Sequence, residues 1–285
     1  MANLKEIRNR ITSVSSTMQI TSAMKMVSAA KLKKAQDAIT AMRPYAEKLT
    51  ELLQNVTASL EGDSASVFSE QRPVNKILVV AITSNRGLSG AFNSNVVKEV
   101  KNLLVQYKDK QVDFVTIGKK GNDAIKKGNN VITHNTAVFD ELTFANVADI
   151  AANLMQLFVD GAYDKIELVY NQFKNAATQI IITEQFLPIL PVEKQENTSV
   201  DYIFEPSKEQ IIEELIPLSL KTQLYKAIRD SFASEHGARM TAMHKATDNA
   251  TELRNQLKLT YNKARQAAIT GEILEIVGGA EALNS

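Results

Sequence analysis

Cysteine and tryptophan are both absent from this chain of 285 residues. Without a thiol there are no disulfides, no thiolate metal sites and no cysteine nucleophile. Only three histidines occur, at positions 134, 236 and 244, too dispersed for a multi-histidine metal centre. Aromatic residues make up 6%, which leaves little to stack on nucleic-acid bases. Neither charge is in excess: 33 Lys and Arg stand against 32 Asp and Glu, a formal net of +1. A protein that bound nucleic acid over its whole surface would be more basic. No apolar run approaches the roughly 18 residues of a membrane span. The N-terminus, MANLKEIRNRITSV, lacks the apolar core of a secretory signal. What is present, 44% hydrophobic and 23% charged residues, is close to the average for a globular protein.

Glycine is missing until Gly62, and the stretch before it is periodic. Alternate steps of three and four residues from Leu4 meet apolar residues through Ile7, Ile11, Val14 and Met18 and on to Leu60. The exceptions are Thr21, Lys25 and Ser28. A heptad sustained this long predicts a coiled-coil seam. At the polar break, apolar residues move to Ile20, Ala23, Met24 and Val27, which predicts a sideways slip of the seam. Pro44 is expected to bend or locally open this helix, because its ring removes one backbone bond. Residues 61–73, with Gly, Ser, acids and a closing Pro, read as a linker.

The period then changes. Strands are expected at 76–83, 112–117 and 130–134, alternating with helices at 96–107, 119–127 and 144–159, as in a parallel α/β sheet. Strands at 165–173 and 178–186 are joined by a short turn and predict an antiparallel hairpin. Residues 199–204 suggest an edge strand. From Lys208 the helical pattern returns, with a main helix at about 209–277 and Pro217 breaking or kinking its start. The division is therefore an N-terminal coiled-coil helix (1–60), a linker (61–73), an α/β domain (74–205) and a C-terminal coiled-coil helix (206–285). Rods at opposite ends of one sequence most simply pair antiparallel. Charge follows this division: residues 1–60 carry nine bases against four acids, a net of +5.

Motifs that carry chemistry are scarce. The loop Thr83–Asn93 follows the first strand, where α/β folds bind phosphates. It lacks the G-x-G-x-x-G spacing and the Lys and Ser/Thr of a P-loop, so a tight turn is the better reading. The histidines read as solvated or capping residues, and no carboxylate pair marks an acid and a base. No catalytic, cofactor-binding or metal-binding residue is expected. Lys31, Lys33 and Lys34 form a basic run; such a run is usually a solvated helix face, with an acidic protein partner as the alternative and nucleic acid as a weaker one. The stretch 261–272 crowds Ala and Gly around Arg265 and Gln266; either the small residues simply permit close helix contact, or they keep the helix thin while Arg265 and Gln266 offer directional hydrogen bonds to a partner.

Residues 20–32 (ITSAMKMVSAAKL), 234–240 (SEHGARM), 246–250 (ATDNA), 261–270 (YNKARQAAIT) and 275–280 (EIVGGA) resemble the gamma subunit family of the F-type ATP synthases. The resemblance covers essentially the whole chain. It implies an α/β fold class: a long antiparallel coiled coil of the terminal helices around a central Rossmann-like domain. It implies a non-catalytic rotor shaft that couples proton-driven rotation of the membrane c-ring to ATP synthesis on the beta subunits. The expected partners are the alpha and beta subunits of the catalytic hexamer, the epsilon subunit and the c-ring. The expectation includes no direct membrane insertion, no cofactor and no nucleic acid. Arg265, Gln266, Thr270, Met24, Lys25, Lys31 and Lys33 are the expected contacts with the hexamer. Two alternatives stand beside it: a coiled-coil interaction protein with an α/β head, and a nucleotide-binding α/β protein. The family's loop often reads T-x-D-x-G-L-C-G; here Asn85 and Ser89 take the places of Asp and Cys. No leader precedes Met1, which favours a bacterial protein at the cytoplasmic face of the cell membrane.

Overall fold

A computed structural model describes residues 4–58, 67–189 and 208–283. Residues 61–66 of the expected linker and the expected edge strand at 199–204 lie outside the described residues. The chain divides into two compact units, residues 1–28 with 240–285, and residues 29–239.

The larger unit is built on a five-stranded sheet of order β3-β2-β1-β4-β5. Its strands are β1 (Lys76–Ile82), β2 (Gln111–Ile117), β3 (Val131–Asn135), β4 (Lys165–Phe173) and β5 (Gln179–Leu187). The first four are parallel and β5 runs antiparallel to β4. The order follows from right-handed crossovers by intervening helices, whereas the five-residue turn after β4 permits only a hairpin. β1 lies at the centre and is buried from Ile77 to Ile82, which explains its unbroken apolar run.

One sheet face is covered by α2 (Phe92–Gln106) and α3 (Lys119–Ile125) around Val96, Val100, Leu103, Phe114 and Ile125. The other is covered by α4 (Phe144–Val159) and by part of α5 (Lys208–Leu283), with Ile216, Leu220, Leu224 and Ile228 entering the core. Thr143 caps α4 by accepting a bond from the Asn146 amide, so the helix starts where its apolar period does. Helix α2 begins four residues earlier than expected, at Phe92, whose buried ring lies in phase with Val96, Val100 and Leu103.

The smaller unit pairs the start of α1 (Leu4–Ala58) with the end of α5. Arg8 bonds the Tyr261 hydroxyl, Arg254 reaches the Met18 sulfur, and Thr247 meets Thr21. Rising numbers on one helix meet falling numbers on the other, so the pair is antiparallel. Pro44 and Pro217 both lie inside their helices. The helix runs through Pro217 unbroken and begins at Lys208, within a residue of the expected start.

Candidate partner-binding surfaces

On α5 the residues turned away from solvent include Met243, Thr247, Ala250, Arg254, Leu257, Tyr261, Ala264, Ala268 and Gly271, with Ala246 and Thr251 beside them. That is an unbroken heptad facing α1. Arg265, Gln266 and Thr270 fall between these positions and are exposed. The antiparallel register set by Arg8 and Tyr261 brings Leu4 level with Arg265 and its neighbours. Past that level, every described side chain from Glu272 to Glu281 is exposed. Among them are Ile273 at 53%, Leu274 at 66%, Ile276 at 71% and Val277 at 55% exposure. A single helix showing this much apolar surface marks an interaction site.

On α1, the structure corrects the expected slip of the seam. Thr21 and Ser28 are buried and Lys25 is half-buried, so the heptad from Leu4 keeps its phase through the polar break. Ile20, Met26 and Val27 instead face outward, at 60%, 62% and 58% exposure. The polar seam is tolerated because its hydroxyls bond carbonyls of their own helix: Thr21 to Met18 at 3.1 Å and Ser28 to Met24 at 2.8 Å. Met24 and Lys25 are half-buried. They stand about 30 Å along the helix from the level of Arg265, at 1.5 Å per residue. The candidates of the smaller unit thus form two separate groups. Lys31 and Lys33, in the larger unit, are exposed.

In the larger unit the loop after β1 is closed by its own residues. The first amides of α3 are all taken: Lys119 by the Asn85 carbonyl, Lys120 by Ser84 O, Gly121 by the Thr83 hydroxyl and Asn122 by Gly118 O. These bonds close the loop after β1 against the start of α3. Asn85 also donates to Thr136 O at 2.8 Å. An ionised Asp, the family's more usual residue, has no proton for that bond. Ser89 accepts a bond from Asn93.

Against this loop α5 presents a buried charged cluster that the sequence did not reveal as one. Arg239 donates to Arg86 O at 3.2 Å and to Gly87 O at 3.3 Å. It pairs with Glu235 at 2.6 Å. Burial pushes the Glu235 carboxyl up, against the opposing pull of Arg239, Lys31 and Arg86. His236 is 5% exposed, not solvated as expected, and packs edge-on against Phe232. Burial, then Arg239, then Lys31 hold its pKa down at about 3. Its Nδ1 lies 3.4 Å from Arg239 Nη1, a donor only, so this nitrogen accepts and the proton sits on Nε2. His134 and His244 are exposed, as expected. Ser234 donates to Asn171 O, and Gly237 lets the helix lie against the β4–β5 turn. The only sequence signal for this cluster was the family motif at 234–240. No group of side chains suited to a metal ion occurs among the described residues.

A family model described as ATP synthase matches residues 3–283. The chain is 76% identical to the ATP synthase gamma chain of Flavobacterium johnsoniae, over 100% of both. It is 66% identical to that of Christiangramia forsetii, again over 100% of both. In fold it resembles a chain of the Euglena gracilis mitochondrial ATP synthase (OSCP/F1/c-ring, rotational state 3), at 23% identity and a TM-score of 0.72, covering 98% of this chain and 94% of that one. Matched from end to end by the family model and by close gamma-chain relatives, the chain belongs to the ATP synthase gamma-chain family.

Proposed function

We propose that this chain is the central rotor shaft of a bacterial F-type ATP synthase and couples proton-driven rotation of the c-ring to ATP synthesis on the beta subunits. It is itself non-catalytic. The end of α5 stands inside the hexamer of alpha and beta subunits. The α/β unit meets the epsilon subunit and the c-ring, peripheral to the cytoplasmic face of the membrane. The observation that carries this reading is the solitary end of α5, exposed from Glu272 onward and rich in Ile and Leu. Such a surface suits an apolar bearing, where a rotor turns without strong fixed contacts.

Arg265 and Gln266 are the long polar groups just below that end, flanked by Ala264, Ala267 and Ala268. Arg forks two donors onto a carboxylate, and Gln adds a donor and an acceptor. Hydrogen bonds to charged groups are worth roughly 1.5–3 kcal/mol each, enough to bias which beta subunit closes. Thr270 adds a hydroxyl on the same stretch. Met24, Lys25, Lys31 and Lys33 supply contacts along α1, the lysines toward acidic loops. The test replaces Arg265 and Gln266 together by Ala in the assembled, purified complex. ATP-driven rotation is expected to slow and proton pumping per ATP to fall, with assembly intact. Wild-type rates for both would remove the catch role from this pair.

A further inference from the structure

The direction of the sheet connections reverses between β1 and β4. The chain leaves β1 for β2 through α2 on one face, and returns from β3 to β4 through α4 on the other. Open α/β sheets take ligands at such a point, in the crevice outside the carboxyl ends of the strands. Here its walls are the loop after β1 and the turn after β4, and α5 touches both. Ser234 donates to Asn171 O at 3.0 Å, near the end of β4. Gly237 passes so close to the turn that a Cβ would stand 3.2 Å from Ala176 Cα. Arg239 sends its side chain to the loop.

Each nitrogen of that guanidinium has an acceptor. Nη1 meets Glu235 Oε1 at 2.6 Å and His236 Nδ1 at 3.4 Å. Nη2 meets Arg86 O at 3.2 Å and Gly87 O at 3.3 Å, and Nε meets Gly87 O at 3.4 Å. The helix thus supplies two acceptors and the loop two, around one planar cation on a side chain that is 8% exposed. An ammonium, a point charge, does not span such a set. The loop also bears a sign of being held. Leu88, beside Gly87, stands at φ 62° and is 64% exposed. A leucine stays in that left-handed region only where its surroundings fix it, and its own side chain, in solvent, does not.

We propose that the crevice between β1 and β4 is a guanidinium-binding site whose ligand belongs to the chain itself. Arg239 fills it, and that occupancy holds residues 84–90 in one conformation. With the Arg239 side chain removed, Glu235, Arg86 O and Gly87 O face an opening of the shape and charge of a free guanidinium ion.

The test uses the full-length chain and does not depend on its place in a larger complex. The amides of Ser84 and Lys120 bond Asn93 Oδ1 and Ser84 O, so their hydrogen exchange reports whether the loop is in place. In Arg239→Ala both should exchange faster than in the wild type. Methylguanidinium should restore their protection saturably, by about elevenfold at about ten times its dissociation constant. It should change nothing in the double variant Glu235→Gln, Arg239→Ala, and methylammonium should change nothing in either. No restoration, or equal restoration by methylammonium or in the double variant, would overturn the proposal. Should the alanine variant fail to fold, Arg239→Lys decides, since it keeps the charge and loses the fork. Its Ser84 and Lys120 amides should exchange about tenfold faster than in the wild type, or more. Wild-type rates there would equally overturn it.

Discussion

Acidification should destabilise the α/β unit through one residue, His236. Its imidazole is 5% exposed and stays neutral in the fold down to about pH 3, against an ordinary value of 6.5. Above 6.5 neither folded nor unfolded chain carries this proton, and His236 contributes its full share. As pH falls below 6.5 the unfolded chain takes up the proton and the folded chain does not. The stability present at neutral pH is therefore lost as pH falls toward the folded pKa. One pKa unit corresponds to about 1.4 kcal/mol, so the loss between 6.5 and about pH 4.5 is on the order of 2.7 kcal/mol. Glu235 works in the opposite direction, because its raised pKa lets the folded state hold a proton that the unfolded state has released. A single pH curve would mix the two. The variant His236→Gln separates them: it keeps an acceptor for Arg239 and does not titrate. Urea denaturation across this range should show the wild type losing stability relative to His236→Gln with each step down in pH. A direct check is the NMR titration of the His236 ring protons, which should stay in the neutral form to about pH 4.5. Parallel stability curves, or a His236 midpoint near 6.5, would refute the burial argument.

The charged cluster gives a second expectation. Arg239→Met leaves Glu235 buried without its partner, and breaking such a pair costs about 3–5 kcal/mol; chemical denaturation measures it, and a loss below about 1 kcal/mol would contradict it. Gly237→Ala places a Cβ 3.2 Å from Ala176 Cα and 3.3 Å from Ala176 O. The β4–β5 turn must then shift, so a loss of about 1–3 kcal/mol is expected in the same assay. Asn85→Asp trades the bond to Thr136 O for a charge at the Lys119 amide, and its stability should stay within about 1 kcal/mol of wild type.

The α/β core was open to reading because its signals are local. A continuous apolar strand at 77–82, a Thr cap at 143 and a five-residue turn after Phe173 each dictate one outcome. Helix starts were harder where a polar stretch interrupts the apolar spacing, as Asn93, Ser94 and Asn95 do between the buried Phe92 and Val96 of α2. Arg265, Gln266 and Thr270 stood out against their small neighbours. Glu235, His236 and Arg239 did not, because their meaning lies in the Arg86–Gly87 loop, roughly 150 residues away in sequence, beyond any periodicity. Three charged or polar residues within five positions of a helix look like a solvated face until their partners are known.

The seam of α1 shows why hydrophobic pattern alone misplaces a face. The apolar residues do shift at Ile20, and a helix burying its greatest apolar area would follow them. The structure keeps Thr21 and Ser28 inside instead. Three facts make that arrangement affordable. The hydroxyls satisfy themselves on carbonyls three and four residues back, so burial leaves no orphan donor at either position. The apolar heptads before Thr21 and after Ser28, ending at Leu32, Ala35 and Ile39, fix the phase from both sides. A slip would move every later side chain to a new face. The outward Ile20, Met26 and Val27 are then surplus to the fold, and their cost is recovered only if another surface covers them.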